Sequence, residues 1–141
     1  VRTLLDQQGP LPVARVASII TQVASALDAA HDHGLVHRDV KPANMLLDAS
    51  AGGGGPDHVY LSDFGLSKQA LSSSGITGTG QFLGTLDYVA PEQIQGHPVD
   101  GRADEYALAC AAVEMLTSTP PFPRRSTSRS CGLRCLSRRP R

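Results

Sequence analysis

Eight residues, HRDVKPAN from His37 to Asn44, gather an acid, two cations and an amide. A carboxylate such as Asp39 can orient a hydroxyl and take its proton. An ammonium such as Lys41 sets a compact point charge against anionic oxygens. The side-chain amide of Asn44 offers an oxygen acceptor and two N–H donors. Together they suit charge-neutralised chemistry on an anionic group, provided they meet within a few ångströms. Singly, each has a plainer meaning. An Asp-x-Lys pair is commonly a surface ion pair, and a lone Asn is commonly a turn residue. The elements around them decide which meaning holds.

"VRTLLDQQGPLP" reads as the end of one helix, a turn and a proline-marked entry to the next. From Pro12 to about His33 the pattern is helical. Val16, Ile20, Val23, Leu27 and Ala30 recur at steps of three and four and share one face. Gly34 supplies a stop, because glycine tolerates the left-handed conformation after a helix. Leu35-Val36, Met45-Leu46-Leu47 and Val59-Tyr60-Leu61 are strand-length apolar pieces. The last two flank "DASAGGGGPDH", which predicts a hairpin with a flexible tip. Asp39, Lys41 and Asn44 then fall in a loop between two short strands. Residues 67–85 are rich in Ser, Thr and Gly and read as a mobile loop. Asp104 to Leu116 is apolar on nearly every side, which predicts a helix buried all round. Asp104 near its start complements the helix dipole.

The chain has 141 residues, 40% of them hydrophobic, with no tryptophan. That suits one globular domain of ordinary size. No apolar run of transmembrane length and no leader pattern is read from the sequence, and a cytoplasmic location is expected. The chain opens on Val1, so a piece of something longer is expected. Net charge is zero, but it is unevenly spread. Residues 124–141 hold seven arginines and no acid, whereas residues 1–123 hold the other six cations and all thirteen acids. Such a tail could bind nucleic acid or anionic lipid; the plainer expectation is a solvated, disordered end. Three cysteines give no disulfide framework. Cys110 reads as a core residue, and Cys131 and Cys135 lack further metal ligands nearby.

Asp63, Phe64 and Gly65 spell DFG, and Ala90, Pro91 and Glu92 spell APE. With H-R-D-x-x-x-x-N before them, in this order, they resemble the protein kinase family. The resemblance covers about residues 1–123. It implies an α+β fold: a mostly helical large lobe with short β-hairpins around the catalytic loop. It implies ATP and Mg²⁺ as cofactors and protein substrates, with no nucleic-acid partner. In the family's terms Asp39 is the catalytic base and Lys41 the clamp on the transferred phosphoryl group. Lys41, Asn44 and Asp63 face ATP and its metal, with Asn44 and Asp63 as metal ligands. His37 and Phe64 pack together, and Glu92 pairs with an arginine far downstream. Asp104 holds the backbone of the catalytic loop. Lys41 followed by Pro-x-Asn, and "GTLDYVAPEQ", resemble the serine/threonine type, in which Thr85 bridges Asp39 and Lys41. The wording as a whole is similar to actinomycete-like bacterial kinases. Thr77 and Thr79 fall where such kinases are phosphorylated, and Arg38 is placed to meet a phosphate there.

A kinase also needs a Gly-rich loop over the phosphates and a strand lysine upstream of the catalytic loop. Only 36 residues precede His37, and none form G-x-G-x-x-G. The two lysines are Lys41 and Lys68, both on the wrong side. The expectation is a large lobe with the small lobe absent, inactive by itself. The alternative is a non-catalytic, kinase-like binding or regulatory fragment. From Arg124 onward the family pattern stops, and a shifted reading frame would produce such an Arg/Ser/Pro mixture.

Overall fold

The computed structural model describes residues 1–48, 57–64 and 86–123. Helix α1 spans Arg2–Gln8 and α2 spans Val13–Asp32. A 3₁₀ turn at Pro42–Asn44 leads into strand β1, Met45–Asp48, which pairs with β2, His58–Leu61. A second 3₁₀ turn, Leu86–Tyr88, precedes α3, Pro91–Gln95, and α4, Gly101–Thr117.

Pro12 stands just outside α2, where its missing N–H interrupts no helical bond. Gly34 takes φ +72° beyond the other end, a region glycine enters without a Cβ penalty. Val16, Ile19, Val23 and Leu27 are the buried stripe of α2. Ile19 is its centre, and the expected Ile20 is only partly covered. By length and composition α2 could cross a membrane; here its stripe joins the core, with Ala107, Leu108, Ala111 and Met115 of α4 in the same cluster. Full burial of each valine, leucine, isoleucine or methionine among them contributes about 1.5–3 kcal/mol.

Strands β1 and β2 are antiparallel, with Met45 opposite Leu61 and Leu47 opposite Val59. Met45 and Val59 are buried while Leu46 and Tyr60 are exposed, the alternation a half-covered hairpin requires. Gln22 of α2 fastens the outer strand. Its Nε2 donates to the Asp57 carbonyl (2.9 Å), and its Oε1 accepts the Val59 N–H (3.0 Å). Arg15 adds an ion pair to Asp57 at 2.7 Å.

Three expectations need correction. Leu35-Val36 belongs to no strand; among the described residues the sheet has only β1 and β2. The catalytic loop is therefore flanked by a strand on one side alone, because an extended segment needs a partner to become a strand. Helix α4 is not buried all round, for Val113 and Leu116 are each 40% exposed. Its covered side instead contains Asp104 and Glu114, 0% and 1% exposed. Alanine-rich composition made the helix look uniformly apolar. The packing has a polar purpose on one face. The loop tip 49–56, the stretch 65–85 with Gly65, Thr77, Thr79 and Thr85, and the tail 124–141 lie outside the described residues.

Candidate active site

A charge buried in α4 organises the loop. Asp104 Oδ2 accepts the backbone N–H of His37 at 2.8 Å, and Oδ1 accepts that of Arg38 at 2.7 Å. A third contact comes from α2: His31 Nε2 lies 2.8 Å from Asp104 Oδ2. His31, assigned no role from sequence, is thus a partner of the buried carboxylate. Gly101 makes room for it, since a Cβ there would fall 2.7 Å from the imidazole Nδ1. Asp104 therefore does more than complement a helix terminus: it satisfies backbone donors that would otherwise be stranded in the interior.

Arg38 needs such support. Its φ is +67°, a left-handed conformation that costs a non-glycine residue about 1–2 kcal/mol. The next residue, Asp39, donates its N–H to His37 Nδ1 at 3.2 Å. That nitrogen must accept, so the ring proton sits on Nε2, which donates to the Ser62 carbonyl at 2.9 Å. Ser62 in turn donates its N–H to the Asn44 carbonyl at 2.9 Å. The fully buried His37 ring thus links the catalytic loop to the residue before Asp63. Phe64 meets that ring edge-on, with centroids 4.6 Å apart.

The Asp39 carboxylate is held from its own loop. Lys41 Nζ reaches both oxygens, at 2.9 and 2.7 Å. Asn44 Nδ2 donates to the Asp39 carbonyl (2.8 Å) and to Oδ2 (3.1 Å). These bonds use the amide nitrogen of Asn44 and leave its oxygen as a donor atom for a metal. Asp63 is exposed and has φ +66°, and among the described residues its carboxylate meets only Ser62 Oγ, loosely, at 3.5 Å. Among the described residues no three acidic, histidine or cysteine side chains cluster as a complete metal cage. Asn44 Oδ1 and the Asp63 carboxylate are hard oxygen donors of the kind that would suit Mg²⁺. The structure therefore brings Asp39, Lys41 and Asn44 into one hydrogen-bonded unit, with Asp63 tied to it through Ser62.

Several partners were not legible in the sequence. Tyr88 donates its hydroxyl to Glu114, and Arg2 pairs with the other oxygen of that carboxylate at 2.7 Å. Burial, then the Glu114 bond, push the Tyr88 hydroxyl far above the ordinary tyrosine range. The segment ahead of APE is thereby pinned to α4. Glu92 is partly buried, and among the described residues nothing pairs with its carboxylate. Among the described residues Arg38 Nε is buried without a hydrogen-bond partner.

A carboxylate, an ammonium and an amide are held on one loop against a mostly helical body, with a second carboxylate tied to them through Ser62, and the comparisons give the class. Residues 1–137 match the protein kinase domain family, and the chain belongs to it. The match runs past Pro123 into the arginine-rich stretch. The relatives are bacterial serine/threonine kinases, as the loop wording implied. Over 128 residues the chain is 50% identical to the serine/threonine-protein kinase PknD of Mycobacterium tuberculosis, covering 91% of this chain and 18% of that protein. It is 50% identical over 112 residues to PknJ of Mycobacterium bovis, covering 79% and 18%. The crystal structure of the Mycobacterium tuberculosis PknI kinase domain superposes with a TM-score of 0.65 at 38% identity, covering 88% of this chain and 42% of that one. The chain thus spans less than a fifth of the length of these curated relatives.

Proposed function

We propose that the protein containing these residues transfers the γ-phosphate of ATP to serine or threonine hydroxyls of other proteins. The observation that carries this reading is the Asp39–Lys41–Asn44 unit, joined through Ser62 to Asp63. Asp39 orients the acceptor hydroxyl and takes its proton late in the transfer. Lys41, already on the Asp39 carboxylate, brings positive charge to the moving phosphoryl oxygens. Asn44 Oδ1 and Asp63 would hold Mg²⁺, which when bound shields the phosphates of ATP. A cytoplasmic location, where ATP is supplied, is part of this proposal.

The 141 residues taken alone supply the floor of the cleft and no G-x-G-x-x-G cover. Without a cover, ATP is poorly positioned, and positioning is most of the catalysis in this chemistry. The test uses two samples, the full-length protein and the 141-residue chain, with labelled ATP, Mg²⁺ and a generic protein acceptor. Phosphoserine or phosphothreonine from the first and none from the second is the expected result. No transfer by the full-length protein would instead favour the non-catalytic binding module.

Regulation follows from Arg38. A guanidinium whose Nε is buried and unbonded is one hydrogen-bond acceptor short, and a phosphate supplies acceptors with charge. Thr77 and Thr79 are the proposed donors of that phosphate, by autophosphorylation. Mass spectrometry after incubation of the full enzyme with ATP should place phosphate on them. Phosphate confined to sites outside residues 67–85 would reject this assignment.

A further inference from the structure

We propose that Gln93 is a positioning residue that couples the segment ahead of α3 to the peptide bearing the catalytic base, an inference that rests on the kinase reading above. Its side chain bridges two backbones. Oε1 accepts the Ala90 N–H at 3.1 Å, and Nε2 donates to the Arg38 carbonyl at 3.1 Å. Chemistry fixes this orientation of the amide, since a backbone N–H only donates and a carbonyl only accepts.

The first bond caps α3. Ala90 has no side-chain oxygen, so the reciprocal bond of a capping box cannot form, and Gln93 supplies the one available half. The second bond has nothing to do with the helix. The Arg38 carbonyl belongs to the peptide that joins Arg38 to Asp39, and the N–H of that same peptide goes to His37 Nδ1. Both polar groups of the unit are therefore held, one by His37 and one by Gln93. Arg38 itself is in the left-handed region, and Asp104 holds its N–H. Turning this peptide would swing the Asp39 carboxylate. Lys41 and Asn44 grip that carboxylate from within the loop. Gln93 grips the peptide from outside, on a segment that Tyr88 also ties to α4. Any displacement of residues 86–93 is thus felt at Asp39.

Two substitutions separate the cap from the coupling. Gln93→Glu keeps an oxygen for the Ala90 N–H but, ionised, has nothing to donate to Arg38. Gln93→Met is similar in length and loses both bonds. In the full-length protein both variants should lower kcat toward a serine/threonine peptide about tenfold, the cost of one positioning hydrogen bond. The KM for ATP should be unchanged in both, and Gln93→Met should also lose the cap on the Ala90 N–H that Gln93→Glu keeps. Both should also shift the NMR signal of the Asp39 amide, which shares its peptide with the lost bond. A Gln93→Glu protein with wild-type kcat and an unmoved Asp39 amide would overturn the proposal and leave Gln93 a helix cap. If the wild-type protein transfers no phosphate, the kinase reading fails separately. The Asp39 amide then decides the coupling: a shift in both variants upholds it, and an unmoved signal in Gln93→Glu ends it.

Discussion

Asp39→Asn and Asp63→Asn, each made in the full-length kinase, should lower turnover by two to four orders of magnitude, about 3–5 kcal/mol of barrier. The reasons differ at the two positions. Asp39 sits between Lys41 and Asn44, and an amide there can neither take a proton nor balance the lysine. Its pair with Lys41 is partly solvated, with side chains 39% and 22% exposed, so little stability is lost with it. Asp63 is exposed and only loosely bonded to Ser62. Among the described residues nothing else holds its carboxylate, and its removal should leave the fold intact. Asn tolerates the left-handed backbone as Asp does, so the loss reports the missing charge and not strain at φ +66°. Steady-state kinetics with a melting curve for each variant makes the check. Near-normal turnover in Asp63→Asn would remove it from the metal site, and near-normal turnover in Asp39→Asn would remove it as the base.

The second large effect is on stability. Asp104→Ala should destabilise the kinase domain by about 3–5 kcal/mol, the usual cost of taking one member from a buried charged network. Three groups lose their acceptor at once: the N–H groups of His37 and Arg38 and the imidazole of His31. The site is fully buried, so water does not replace the carboxylate without opening the core. Arg38 then loses a bond that sustains its left-handed conformation, and catalysis falls with stability. His31→Ala should cost less, because both backbone donors keep their acceptor. Urea unfolding of the two variants gives the comparison. Equal, small losses for both would mean that Asp104 is not the anchor of the loop.

Reading the chain as a string gave the helix Pro12–His33 within a residue at each end, because amphipathic periodicity and its Pro and Gly boundaries are local signals. The hairpin of β1 and β2 was legible for the same reason, two apolar runs about a glycine-rich tip. Leu35-Val36 shows where local reading stops. Its composition suits a strand, but a strand exists only where a partner backbone is offered, and none is described there.

The site divides in the same way. Asp39, Lys41 and Asn44 lie close together in sequence, and their mutual bonds are nearly dictated by that closeness. The DFG and APE words and the family they indicate also came from sequence, since they are runs of adjacent residues. Legible in the string of residues, then, were the candidate groups for the chemistry and the loop that carries them. The resemblance already implied Asp104 as a holder of that loop; its long-range companions emerge from the fold alone. His31 and Asp104 are 73 residues apart, Arg38 and Gln93 55, and Arg2 and Glu114 112. No local pattern signals such pairs. Each forms because packing α2 on α4 and seating α3 beside the loop buries polar groups that must then find one another, at a cost of about 1–3 kcal/mol for any left unsatisfied.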